Sequence, residues 1–409
     1  TVGAPLSFLD HHLRCGDSLF GSWVKKGIDK AATYGTPLLL HEPMKRALRA
    51  ASKMQIVEGL TDAEIAEAHR SADVFAEVED MTAPLDALLK LIHAIDWLDI
   101  KGKNQKTAMQ AFFDGEFGDP LDIVLGKRKL TRPKAKAADE TLKGRMSAAE
   151  KFDLFSDIFA QAQVLIAEEN FLNWQVTFPG IWSDWEEDDL TGGFHAVIGN
   201  PPWDKMRFEE IPWFEQRVPE IAKLGSGAER KEAINELIES EPELHHQFEQ
   251  ARERSTLATT VARKIGDYPL LSGGDTNIYS LFVEQARRLL NANGRSGLLV
   301  PSGIASDGTS AKFFEQVSTG GQLRTLIDFE NRRTRYGLRP FFEDVDSRYK
   351  FCVFVLSKMA MEDAAKCAFF LQAVSELEHE DVVFEYRAED FDRVNPNTKT
   401  APIFRSRRD

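Results

Sequence analysis

The chain has 409 residues, 43% hydrophobic and 28% charged, a balance typical of a soluble globular protein with two or more packed units. No apolar run approaches membrane-spanning length, the N-terminus lacks a signal-peptide layout, and three scattered cysteines (Cys15, Cys352 and Cys367) suit neither a zinc site nor a disulfide framework, so a cytoplasmic protein without a membrane partner is expected. A net charge of −14 argues against long-range attraction to polyanions but leaves local phosphate contacts open.

Residues 6–21 predict a short strand around Leu13 to Cys15, then a polar turn at Gly16-Asp17-Ser18. From 41 to 175 the pattern is helical. Leu85, Leu88, Leu89, Ile92 and Ile95 recur at helix spacing, as do Phe152, Phe155, Phe159 and Ala162. Thr61 to Glu64 and Ser147 to Glu150 both have capping-box spacing. The run 127–136 carries six positive charges and no acid, and reads as a loop between two helical groups. A solvated loop and a phosphate contact are both open for it, as they are for Arg332, Arg333, Arg335 and Arg339.

The apolar run Phe194 to Gly199 predicts a buried strand, and it ends in Asn200-Pro201-Pro202-Trp203. Each proline fixes φ near −65° and removes a donor, and the residue before a proline is pushed out of the helical region. The tip is therefore stiff and rich in acceptors, namely the Asn200 side-chain oxygen and the Pro201 carbonyl, with an indole beside them. Such a hook suits the exocyclic amine of a flat heterocycle. With both amine hydrogens engaged, the nitrogen lone pair turns toward an electrophile.

Residues 205–265 again read as helical and highly charged, with a third capping box at Ser226 to Glu229. Asp275 or Thr276 is expected to cap a helix over 277–290, ended by Asn291-Ala292-Asn293-Gly294. Strands follow at Gly297 to Val300, Leu323 to Phe329 and Tyr349 to Leu356. Helices alternating with continuous apolar strands imply an α/β fold, an open parallel or mixed sheet wound on both faces. The nine histidines form no metal-binding spacing, and Gly273-Gly274-Asp275 is not a phosphate loop.

Asn200-Pro201-Pro202-Trp203 resembles motif IV of the DNA amino-methyltransferases, in the Asn form used by N6-adenine enzymes. Asn277 to Glu284, Gly294 to Gly297 and Leu298 to Ser302 look like motifs V and VI. Asp328 to Asn331, Phe341 and Val345 to Phe351 resemble the region around motif VII, and Arg14 to Leu19 looks like motif III. Phe171 to Pro179 leading into Gly193 to Gly199 is similar to large Eco57I-like modification enzymes of restriction and phage-defence systems.

The resemblance implies a Rossmann-like methyltransferase fold using S-adenosyl-L-methionine (SAM), with double-stranded DNA as partner. It implies a core starting over 1–40, a helical insertion over 41–175, a core with motifs IV to VII over 176–360, and an extension over 361–409. Asn200, Pro201, Pro202 and Trp203 would be catalytic, with Trp203 and Phe384 on the two faces of a flipped adenine. Asp17 would accept from the SAM adenine amine, although a turn residue bonding its own backbone explains it equally, and Phe282 would pack beside the cofactor unless it is simply core.

The glycine-rich motif I is not present before Gly16-Asp17-Ser18, so the sheet is expected to be incomplete at its N-terminal strands, leaving unpaired edges. The chain is therefore expected to be an internal fragment, inactive alone, with N- and C-terminal portions of the same protein as partners. Two other readings stay open. One is methylation of RNA bases or protein glutamine, and the other is a non-catalytic DNA-binding or assembly subunit of a split methylase.

Overall fold

The computed structural model describes residues 11–35, 37–60, 65–134, 146–187, 190–361, 364–394, 400–401 and 403–404. The expected capping box at Thr61 to Glu64 lies outside them. The chain divides into two units, Thr1–Gly193 and Phe194–Asp409. The first therefore extends past the expected boundary at residue 175, and each unit is described by itself.

The first unit is helical. Its main helices are α1 (Val24–Thr33), α2 (His41–Gly59), α3 (Ile65–Trp97), α4 (Lys103–Phe113) and α5 (Ala148–Glu169). The stripe Leu85, Leu88, Leu89, Ile92 and Ile95 is buried along α3 as its spacing requires. Phe155 of α5 stacks on Phe112 of α4 at 4.3 Å between ring centroids. The Ser147 hydroxyl accepts from the Glu150 amide at the start of α5, and the Glu150 carboxylate accepts from the Ser147 amide. Two short strands, β1 (Trp182–Ser183) and β2 (Thr191–Gly192), pair antiparallel.

The strand expected at Leu13 to Cys15 does not form. Asp17 makes a single parallel bridge with Phe171, and its Oδ1 accepts from the amides of Leu19 and Phe20 at 2.9 and 3.2 Å. That local turn competes with a ladder and stops it at one rung. Gly21 passes so close to Leu172 that an added Cβ would lie 2.0 Å from the Leu172 carbonyl oxygen.

The second unit is built on a six-stranded sheet of order β3-β4-β6-β5-β7-β8. The strands are β3 (Phe194–Gly199), β4 (Leu290–Pro301), β5 (Leu323–Glu330), β6 (Lys350–Ser357), β7 (Ala365–Leu371) and β8 (Phe384–Tyr386). β3, β4, β5 and β7 run parallel, whereas β6 and β8 run against them. Residues 361–409 are thus no simple extension, because β7 and β8 complete one side of the sheet. Its longer helices are α6 (Gly227–Ser240), α7 (Pro242–Lys264), α8 (Ile278–Leu289), α9 (Ala311–Thr319) and the short α10 (Ala388–Val394).

Winding is one-sided in this unit. Tyr279 and Val283 of α8, Phe313, Phe314 and Val317 of α9, and Phe391 of α10 pack with Leu298, Val300, Leu326, Cys352 and Phe354 on one face. The opposite face gathers Leu299, Ile327, Phe329, Phe351 and Val353 beneath Phe341, Phe342, Leu377 and Val382, which come from connecting segments. This departs from the expected double winding, because the crossovers β3 to β4 and β4 to β5 advance the same way across the sheet. Right-handed crossovers in one direction put their helices on one face. β3 is an edge strand, and Ile198 on it is 87% exposed.

Candidate functional site: the carboxyl rim of the sheet

In an open α/β sheet the crevice outside the carboxyl ends of parallel strands is where ligands bind. Here that rim holds Asn200 after β3, Ser302 after β4 and Asn331 after β5. The hook leaves β3 where Gly199 is level with Leu298 of β4. Past the hook, the chain is stitched to the entrance of α8. The Ile278 amide donates to the Asp204 carbonyl at 2.9 Å, and the Met206 amide donates to the Thr276 carbonyl at 3.0 Å. These bonds replace the side-chain cap expected from Asp275 or Thr276. Asp275 instead pairs with Lys205, and the Thr276 hydroxyl donates to the Ser272 carbonyl.

Held at both ends and stiffened by its prolines, the hook exposes Asn200 and Pro202 and buries Pro201. Among the described residues no partner is seen for the Asn200 side-chain amide. Trp203 is half-buried and turned inward. Its indole N–H donates to the Leu299 carbonyl at 3.3 Å, and its ring stacks on Phe351 at 5.8 Å and meets Phe342 edge-on at 5.0 Å. The freely presented stacking face expected for Trp203 is therefore reduced to the part of the ring that these contacts leave open.

Further along the rim lies a cluster around Asp328, which is 5% exposed. The Ser302 hydroxyl donates to Asp328 Oδ1, and the Phe370 amide donates to Oδ2 at 3.0 Å. The Ser302 amide donates to the Lys350 carbonyl at 3.1 Å, and Lys350 Nζ rests 3.9 Å from the Phe370 ring centroid. Phe370 stands in the left-handed region, φ 61°, where the β5–β7 register slips. An aromatic residue there is strained, and such strain collects at functional sites. Burial raises the Asp328 carboxyl above its ordinary value against the Ser302 and Phe370 bonds and Lys350, and Glu330 raises it further. Burial also pushes Glu330 up, but Gln372, Arg332 and Lys350 outweigh it and leave that group lowered.

The remaining expected residues lie on other elements. Phe384 sits on β8 at the far edge of the sheet, with ring contacts to Phe369, Tyr386 and Phe404. Five strand spacings of about 4.8 Å separate β8 from β3, roughly 24 Å, so Phe384 cannot cover a base held at Asn200. Phe282 is half-buried on α8, and Asp17 lies in the first unit with Oδ1 bonded to its own turn.

Several arginines of the basic stretches are engaged within the chain. Arg132 makes a two-pronged pair with Asp153 at 2.6 and 2.8 Å, and Arg335 pairs with Glu376 at 2.6 Å. Arg332 pairs with Glu330, Arg339 with Glu343, and Arg333 lies over the Phe341 ring. A cavity of about 420 Å³ lined by Thr319, Arg324, Ala365 and Arg387 opens at the amino ends of β5 and β7, on the opposite rim from Asn200. Among the described residues no His, Cys, Asp or Glu group could hold a metal ion, and no helix is long and apolar enough to cross a membrane.

Sequence reading reached Ser302, Asp328 and Lys350 as parts of longer phrases but missed Phe370. Nothing in a phenylalanine announces a left-handed backbone.

No protein-family model matches the chain. No curated protein matches it either. Among solved structures, the chain is similar to the methyltransferase subunit of a type I restriction-modification system from Streptococcus thermophilus. The two are 10% identical over 97% of this chain and 98% of that one, with a TM-score of 0.29. At that score the correspondence carries no argument about the site.

Proposed function

We propose that this chain presents adenine N6 for methylation in DNA, as part of an amino-methyltransferase of a restriction-modification or phage-defence system. The observation that carries this is Asn200, an exposed amide with no partner seen among the described residues, fixed at the carboxyl rim by two prolines and a stitched exit. A target adenine must leave the duplex to reach such a rim, since its N6 is otherwise stacked and paired. Asn200 Oδ1 and the Pro201 carbonyl accept from the two N6 hydrogens and turn the nitrogen lone pair outward. The uncovered part of the Trp203 ring supports the base. Catalysis comes from orientation and fixed dipoles, with no covalent intermediate on the protein.

SAM is the methyl donor this reading calls for. Asp17 Oδ1 is committed to its own turn, and Phe282 is half-buried on α8. Among the described residues no strand pairs with the outer edge of β3, which leaves that edge open to further strands. The engagement of Asp17 in its own turn favours a second reading, a non-catalytic DNA-binding or assembly subunit.

The test is transfer of tritiated methyl from SAM to duplex DNA, RNA and protein by the full product of the gene, native and Asn200→Ala. N6-methyladenine in DNA, lost in the variant, is the expected result. Label in RNA or protein, or equal label in the variant, overturns the proposal. No transfer at all, with DNA binding retained, favours the assembly subunit.

A further inference from the structure

Asn331 follows the last residue of β5 and is fully buried, at 0% exposure. Its side chain is committed to the segment that comes after it. Nδ2 donates to the carbonyls of Phe342 at 3.0 Å and Val345 at 2.9 Å, and Oδ1 accepts from the Phe342 amide at 2.9 Å. One asparagine amide, with two donor hydrogens and an acceptor oxygen, thus holds Phe342 by both its N–H and its carbonyl. A backbone fixed in this way also fixes the direction in which the ring leaves it. That ring meets Trp203 edge-on at 5.0 Å and Phe351 edge-on at 5.1 Å, while Trp203 and Phe351 stack at 5.8 Å. Three centroids so nearly equidistant form a triangle, so Phe342 stands beside the stacked pair and not over the far side of the indole. One face of Trp203 rests on Phe351, and neither phenylalanine covers the other.

We propose that Asn331 is a positioning residue for the Asn-Pro-Pro-Trp hook. By fixing Phe342 it sets the tilt of Trp203, and with it the plane in which a flipped base lies against the uncovered indole face. The inference rests on the base-binding reading above. Asn331 acts wholly through Phe342, whose edge-on contact is a favoured geometry for aromatic pairs. Two substitutions separate the parts. Asn331→Asp keeps the size and the acceptor for the Phe342 amide but sets a carboxylate against the carbonyls of Phe342 and Val345, so the hold opens on that side. Phe342→Leu leaves the backbone bonds to Asn331 in place and removes the ring.

Both variants are made in the full gene product labelled with 5-fluorotryptophan, and the Trp203 resonance is assigned by its loss in Trp203→Phe. Fluorine NMR of folded Asn331→Asp should show that resonance displaced while the other tryptophan resonances stay in place. Methyl transfer to duplex DNA should fall by about 10- to 100-fold in kcat in both variants, the cost of a misplaced reacting group. KM for DNA should change little, because affinity comes mainly from phosphate contacts. An unmoved Trp203 resonance in folded Asn331→Asp overturns the inference, since a side chain that only closes its own loop leaves the indole alone. A raised KM with kcat kept overturns it as well. If circular dichroism shows that Asn331→Asp does not fold, kcat of Phe342→Leu carries the test, and an unchanged value there overturns the inference while sparing the hook. No transfer by the native product, or transfer undiminished in Asn200→Ala, overturns the base-binding reading itself, and this inference with it.

Discussion

The indole of Trp203 donates to the carbonyl of Leu299, 3.3 Å away, so the aromatic end of the hook is tied to β4 as well as stacked on Phe351. This tie makes Trp203 partly a structural residue. Trp203→Phe should lose one hydrogen bond and cost about 1 kcal/mol of stability. Trp203→Ala should also lose its ring contacts and cost about 3 kcal/mol. Urea unfolding of both variants checks the order, and equal costs would show that the ring contacts contribute nothing.

Asn200 behaves oppositely. Its side chain is exposed and has no partner seen among the described residues, so Asn200→Ala should change unfolding stability by less than about 0.5 kcal/mol. Methyl transfer by the full gene product should fall further in Asn200→Ala than in Trp203→Phe, which keeps a ring. Single-turnover rates measure this, and equal losses would refute the role given to Asn200.

Asp328 gives a pH prediction. Its folded pKa is raised by burial, so its neutral form is the one the fold favours. The stability this contributes is complete below the unfolded value of about 3.9 and is lost as pH rises through the folded value. The substitution Asp328→Asn removes that titration. The stability of Asp328→Asn relative to the native chain should therefore increase from acid toward neutral pH. Denaturant midpoints across that range test the slope, and a flat difference would show that burial of the carboxylate carries no penalty.

In the first unit, Gly21→Ala places a methyl 2.0 Å from the Leu172 carbonyl oxygen, a backbone atom that cannot swing aside. Overpacking of this kind costs about 1–3 kcal/mol. A lowered thermal midpoint is expected, and an unchanged one would mean that the two segments separate freely.

How much of this was legible follows from range. The Ser147 capping box is local and has the setting its residues imply. The strand before the Asn-Pro-Pro-Trp hook, expected to be buried from its apolar run, instead lies largely exposed at the sheet edge, because no strand among the described residues covers its outer side. The stripe along α3 was readable because its period is helical. The position of β6 between β4 and β5 was not, since antiparallel insertion depends on pairings across many residues. Phe384 was misplaced for the same reason. Its neighbourhood depends on β7, whose parallel pairing with β5 no local pattern declares. One-faced winding needed the strand order before crossover handedness could act on it.

Phe370, the last but one residue of β7, holds a backbone shape that glycine adopts freely and phenylalanine resists by about 1–3 kcal/mol. A carboxylate, an ammonium and a register slip together hold it there. Such a loaded joint gives way before its relaxed surroundings. Amide exchange on warming should accordingly reveal first motion at the strand ends near Phe370, while the helices α8 and α9 are still quiet.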